Sequence, residues 1–348
     1  MPEIWYAIVA ALLTAWVVLD GFDFGAGVLH LFVARTDAER RQLLAAIGPF
    51  WDGNEVWLIV SGGALFVAFP RVLSAGISGF YLTIFLVLWC LILRGISIEF
   101  RSHVKDRLWR GSWDLVFAAA SALLPVFLGA ALGNLLRGLP LSPEGWFSLT
   151  FFTDFRAREP VGILDWYTLL VGVFALAALA GHGGAFLAWK TGGAVQERSR
   201  TAARRLFAAV AVLWPLVTVA TLRVNPHFLD ALVTRPLAGL FGAAALAGLV
   251  AVFVGLARGR ELAAFLGSSG FIAGLSGATA ACAFPVLLRA IGDDALSLTV
   301  GNAGGDRDGL RTALVWFSLG LPLVALYYAI VLRLHRGKVV AAPDGGEY

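Results

Sequence analysis

The sequence is short of charge and of sulfur. Only 14% of its 348 residues are charged, and 59% are hydrophobic. Soluble domains carry about a quarter charged and about half apolar residues, so an ordinary water-soluble globule is excluded. The two cysteines, Cys90 and Cys282, lie inside apolar runs, with neither metal spacing nor a disulfide framework. They read as small buried side chains. Haem iron commonly takes an axial histidine, with methionine, cysteine or tyrosine as other options. Here Met1 is the one methionine, and no two of His30, His103, His182, His227 and His335 are spaced as a paired haem site on one helix. No phosphate-cradling loop, dinucleotide fingerprint or metalloprotease motif occurs, and GSSG at 267–270 and GGDRDG at 304–309 are too short to stand for one. The net charge of +4 is spread over connections, which speaks for membrane topology and not for nucleic acid. The N-terminal run MPEIWYAIVAALLTAWVVLDGF lacks a basic leader and is too long for a signal peptide, so it reads as a retained first helix.

What is present is apolar stretch after apolar stretch. About 20 apolar residues cross a bilayer as a helix. Nine such spans are expected, at 4–33, 50–69, 76–98, 113–136, 163–189, 203–222, 237–257, 262–288 and 311–334. Pro49 and Pro70 bracket the second; Pro125 and Pro215 fall inside spans, which membrane bundles tolerate. The longest connection, 137–162, is a place for a short interfacial helix. The expected fold is therefore all-α: one polytopic membrane domain over 1–348, with 1–136 carrying four helices, 137–162 a loop and 163–348 five more. Two four-helix bundles plus one peripheral helix would account for the count, although no tandem repeat is visible. Most lysines and arginines fall at 35–41, 101–110, 190–205, 258–260 and 333–338. By the positive-inside rule this implies N-out/C-in.

Unusual polarity gathers in the first 115 residues. Asp20 and Asp23 in LDGFDFGAG are three apart and share a helix face. The interleaved Gly21, Gly25 and Gly27 allow close backbone approach. In FWDGNEVWL, Asp52 and Glu55 share a second face between Trp51 and Trp57, which suit an interfacial belt. Asp52 in a first turn also complements the helix dipole. A charge at mid-membrane costs on the order of 3 kcal/mol, so these acids need a partner, a proton or nearby water. Arg94 lies in apolar sequence; Glu99, five residues on, is out of its direct reach on one ideal helix, leaving Asp20, Asp23 or Glu55 on other helices. Arg94 and Glu99 are candidates for structural ion pairs, the basic run 101–110 for an anchor to anionic lipid, and Asp114 for a cap.

These motifs carry a resemblance. DGFDFGAG, GPFWDGNEVWLIVSGGALFVAFP, SGFY, RGISIEFR and RLWRGSWD resemble subunit II of cytochrome bd-type quinol oxidases, densely over 19–115 and more weakly through GNLLRGLP, HGGAFLAWKT and CAFP. The resemblance implies a nine-helix subunit in the bacterial cytoplasmic (inner) membrane, paired with a homologous subunit I. That partner would hold haem b, haem d and the quinol-oxidising loop, with no haem ligated by this chain. The implied reaction is quinol oxidation coupled to four-electron reduction of oxygen to water, electrogenic without a proton pump. Small accessory subunits, and a structural quinone found in some members, are left open. Carried over by position, Asp52 matches the mouth of a proton path, Trp57 a tryptophan near an oxygen route, and Asp23 a further proton-handling acid. Glu55 stands where members can carry glutamine.

The expected function is thus a terminal-oxidase subunit supplying a proton track through Asp52, Asp23, Asp20 and Glu55, with Trp57 and Trp51 at an oxygen route or interface. A secondary transporter or ion channel using the intramembrane acids is the alternative. A purely structural assembly partner is the third.

Overall fold

The computed structural model describes residues 1–340. In chain order its helices are α1 (Pro2–Val33), α2 (Asp37–Ile47), α3 (Trp51–Ala68), α4 (Pro70–Gly79), α5 (Tyr81–Phe100), α6 (Arg107–Arg137), α7 (Trp166–Lys190), α8 (Gly193–Val224), α9 (His227–Thr234), α10 (Pro236–Ala257), α11 (Glu261–Ala283), α12 (Val300–Ala303) and α13 (Arg307–Leu334). Between α11 and α12 lie two short antiparallel strands, β1 (Val286–Leu288) and β2 (Leu298–Thr299). Eight helices are long and apolar enough to cross a membrane: α1, α5, α6, α7, α8, α10, α11 and α13. The ninth expected span is α3, whose first turn holds Asp52, Asn54 and Glu55 and so is less apolar than the rest.

Helices α1, α3, α5 and α6 form one group, and α7, α8, α10 and α11 the other, with α1 and α6 packed on α7 between them. Helix α13 lies outside, with Leu310 its one buried residue. Lipid tails are as apolar as side chains, so close backbone approach replaces hydrophobic drive in holding such groups together. Gly25 of α1 and Gly183 of α7 meet backbone to backbone, where any Cβ would collide with the opposite main chain. Gly248 of α10 abuts Gly267, Gly270 and Phe271 of α11 in the same way.

Local signals set the helix ends. Thr36 and Glu39 form a capping box on α2, Asp165 and Thr168 another on α7, and Asp106 caps α6 through the Trp109 amide. Three expectations change. The 138–165 connection contains no helix; Pro140 and Pro143 interrupt it, and it is tied by Leu139 and Ile291 backbone bonds instead. The expected 76–98 span is two helices, divided at Phe80. The span expected to end at 288 ends at Ala283, because Pro285 cannot donate to a continuing helix.

One end of the bundle collects α2, the α5–α6 turn, the start of α8, the Arg258–Arg260 turn and residues 335–340. Most of the basic residues lie there, and it is called the arginine-rich end below. The last segment is strapped to it: Lys190 Nζ donates to the His335 carbonyl at 2.5 Å, and Gln42 Nε2 to that of Val339 at 2.8 Å.

Candidate intramembrane proton site

Helix α1 carries Asp20 and Asp23 on the face turned toward α3 and α5, and both are wholly buried. Arg94 of α5, also wholly buried, reaches across. Its Nη2 donates to Asp20 Oδ1 at 2.9 Å and pairs with Glu55 Oε1 of α3. The guanidinium also lies 4.7 Å from the Phe24 ring centre, a face that attracts a cation. Trp16 Nε1 donates to the other Asp20 oxygen at 3.0 Å. Asn54 Nδ2 donates to Asp23 Oδ2 at 2.7 Å and to the Leu19 carbonyl at 3.0 Å. The Tyr328 hydroxyl of α13 lies 3.0 Å from Asn54 Oδ1 and 2.6 Å from the Gly53 carbonyl. One guanidinium thus faces three carboxylates. Glu55, with its side chain 26% exposed, is the member that reaches the surface of the chain.

The other expected positions sit around this network. Asp52 is exposed on the first turn of α3 and makes no side-chain hydrogen bond or ion pair among the described residues. Trp51 is half-buried against Gly95. Trp57 is half-buried with its ring 5.7 Å from that of Tyr328. Arg94 is brought to Asp20 and Glu55, whereas Glu99 is exposed and forms no ion pair among the described residues.

A second polar cluster closes the arginine-rich end. Asp114 of α6 is buried and receives His30 Nε2 at 2.5 Å, Arg101 Nε at 2.6 Å and Arg40 Nη1 at 2.7 Å. Arg101 and Arg110 also bind Asp37, at 2.7 and 3.0 Å, and Arg41 joins them. Burial alone would raise the Asp37 carboxyl, but the Arg101 hydrogen bond and the charges of Arg101, Arg110 and Arg41 outweigh it and hold it below the ordinary carboxylate value. Burial alone would lower Arg101; its bonds to Asp114 and Asp37 win and raise it. The sequence treated Asp114 as a cap and passed over His30. The available signal was spacing: residues 20, 23, 27 and 30 repeat at helical intervals down one face of α1. Nothing local marks Asn54, Trp16 or Tyr328.

The two buried histidines are engaged to different extents. His182 has Nδ1 2.7 Å from Ser268 Oγ and Nε2 2.9 Å from the Val18 carbonyl, so both ring nitrogens are engaged. His30 has Nε2 held by Asp114. Among the described residues no cluster of three metal-binding side chains occurs.

The fold and site define a polytopic helical membrane protein with an acid–arginine network inside its bundle. The profile of the cytochrome bd terminal oxidase subunit II family matches residues 1–335, and the chain belongs to that family. It is 38% identical over 217 residues to cytochrome bd-I ubiquinol oxidase subunit 2 of Escherichia coli K12, covering 62% of this chain and 55% of that one. It is 35% identical over 213 residues to cytochrome bd ubiquinol oxidase subunit 2 of Bacillus subtilis 168, covering 61% and 60%. The matched stretch thus spans little more than half the length of these curated relatives. A chain in the solved structure of bd oxidase from Geobacillus thermodenitrificans shares the fold, with a TM-score of 0.76 at 19% identity over 96% of this chain and 98% of that one. Membership makes this a multi-pass protein of the bacterial inner membrane.

Proposed function

We propose that the chain serves as the subunit of a quinol:oxygen oxidoreductase that ligates no haem, beside a partner subunit I holding haem b and haem d. In this reading the chain sits N-out/C-in, so its arginine-rich end faces the cytoplasm. Protons consumed in reducing oxygen enter there and pass along the acids of α1 and α3, while those released by quinol leave on the opposite side. The turnover is then electrogenic without a pump.

The observation that carries the reading is the Asp20–Arg94–Glu55 and Asp23–Asn54 network, drawn from three helices around one cation. Arg94 keeps carboxylates tolerable at a depth where they would otherwise be costly. Three carboxylates exceed one guanidinium, which leaves places for protons to bind and leave. Glu55 and Asp52 lie on the side of α3 open to the surface and form the mouth. A positioned acid that passes a proton contributes about 10²–10⁴ in rate. Beside the network is a cavity of about 990 Å³ with an almost wholly apolar lining that includes Trp16, Phe24, Leu58 and Leu65. Its chemistry suits oxygen, and Trp57, beside the lining residue Leu58 in sequence, is the residue proposed to border such a route.

The test is quinol-driven oxygen consumption by the assembled complex, normalised to haem, for Asp23→Asn and Asp52→Asn. Loss of turnover at normal haem content supports the reading. Wild-type turnover in both removes the proton track.

A further inference from the structure

Three polar atoms on α1 and α6 are buried and make no hydrogen bond among the described residues: His30 Nδ1, Ser121 Oγ and Asp23 Oδ1. All three residues are wholly inaccessible. They stand in register. Asp23, Gly27 and His30 follow one another at four and three residues along α1, on one face. Gly27 turns its bare Cα at Ser121, and a Cβ there would collide with the serine hydroxyl and crowd the Phe117 ring. Phe117 stands edge-on to His30, with ring centres 5.2 Å apart. On α6, Asp114, Phe117 and Ser121 follow at three and four residues, so the two faces match. A rise of 1.5 Å per residue separates Asp23 from His30 by about 10 Å along α1, with the Ser121 hydroxyl between them. Interiors rarely leave one polar atom unpaired, and buried water typically serves about three such groups at once.

The tautomer follows from the neighbours. Arg40 and Arg101 both donate to Asp114, which keeps it an acceptor. His30 therefore carries its proton on Nε2, toward Asp114, and presents the Nδ1 lone pair to the seam. The Ser121 hydroxyl stands against Gly27, which lies between His30 and Asp23 along α1, and Asp23 neighbours Asp20 and Arg94.

We infer that His30 is a proton-exchanging group joined to Asp23 by water held on Ser121, with Asp114 as its positioning residue. Nδ1 takes the excess proton of a hydronium ion in the seam, leaving neutral water, and the resulting imidazolium is met by Asp114. On release the proton returns to water and moves to Asp23 Oδ1. Each hop breaks one N–H or O–H bond and forms another, and no electron moves. The inference rests on the proton-track reading above but adds a second branch that bypasses Asp52 and Glu55.

The experiment uses the intact haem-loaded complex with Ser121→Ala, His30→Gln and, as reference, Asp23→Asn. Proton uptake on oxygen admission is followed with a pH-indicating dye and normalised to haem. Ser121→Ala deletes only a hydroxyl and should slow uptake by about fivefold, the kinetic equivalent of one lost hydrogen bond. His30→Gln should slow it in the same direction. If Asp23→Asn slows uptake while Ser121→Ala and His30→Gln match wild type, the branch is wrong and the Asp23 track survives. If Asp23→Asn also matches wild type, the track itself falls. A high-resolution map of the complex is the second readout. Water within hydrogen-bond reach of Ser121 Oγ and of His30 Nδ1 or Asp23 Oδ1 supports the branch; dry apolar packing around the hydroxyl overturns it. Should His30→Gln lose haem through misfolding, Ser121→Ala and the map decide.

Discussion

Two of the buried arginine–aspartate pairs in this molecule, Arg137–Asp165 and Arg94–Asp20, are finished differently. Arg137 and Asp165 lie where α6 and α7 meet the 138–165 loop. Asp165 Oδ1 accepts the Tyr167 and Thr168 amides at 2.8 and 2.9 Å, and Oδ2 accepts from Arg137. Arg137 then binds Asn134 Oδ1 at 2.6 Å and the Gly162 carbonyl at 3.2 Å. One cation meets one anion, both carboxylate oxygens are used, and all partners lie within about 35 residues of chain. Arg94 instead gathers acids from two other helices, with Asp23 beyond them, and Asp23 Oδ1, Arg94 Nε and Arg94 Nη1 remain without protein partners. A pair of one acid and one base, with both carboxylate oxygens taken and Arg137 Nε without a partner among the described residues, holds a loop in place. The Arg94 site has surplus acid and buried polar atoms without protein partners, and the proposed proton track rests on that difference.

Breaking each pair should separate stability from turnover. Asp165→Ala removes a helix cap worth about 1 kcal/mol and strands a buried guanidinium at a further 3–5 kcal/mol or so. The complex should lose thermal stability more than with any other change here, while oxygen turnover per haem in the folded fraction stays at wild type. Arg94→Met strands Asp20, at roughly 3–5 kcal/mol, and should lower both assembled haem and turnover per haem. Asp23→Asn keeps the shape and should cut turnover about 100-fold, equivalent to about 2.7 kcal/mol in the barrier, with normal haem spectra. Tyr328→Phe frees the Asn54 amide that donates to Asp23. One hydrogen bond of about 1 kcal/mol predicts a turnover several-fold lower, measurable in the same assay.

The smallest effect belongs to the surface side of the comparison. The folded Asp37 carboxyl lies below its unfolded value. Its contribution is therefore fully present above the ordinary aspartate range, near pH 4, and is lost as pH falls through the folded value. Asp37→Asn should flatten that acid limb in a pH series of thermal inactivation. The change should be about 1 kcal/mol or less, since the group is partly exposed and solvent and salt screen it.

Much of this was legible in order of residues. Of the nine expected apolar stretches, eight fall on helices of the described residues long and apolar enough to cross a membrane, because a run of about 20 apolar residues has few other satisfied states in lipid. Asp20, Asp23, Glu55 and Arg94 announced themselves as polarity out of place. The break at Phe80 was not legible: YLTIFLVLWC continues an apolar run with no proline or cap to mark it. The connection 137–162, expected to offer a place for a short interfacial helix, carries none beyond the end of α6, and its order comes from Arg137, Asn134 and paired backbone, which no local pattern marks. Tyr328 lies about 270 residues from Asn54, and a partner at that separation leaves no periodic trace.

By itself the sequence determined that the chain crosses a membrane in helices and that acids and an arginine lie within them. Hydropathy and the 3.6-residue turn are local properties, and they are enough for that. Only the tertiary structure decided that Arg94 serves Asp20 and Glu55, that Asn54 binds Asp23 and is itself held by Tyr328, and that His30 meets Asp114. Those pairings depend on how separate helices rotate and slide against one another. Contacts such as Gly25 on Gly183 set that registry, and they exist only once the bundle has closed.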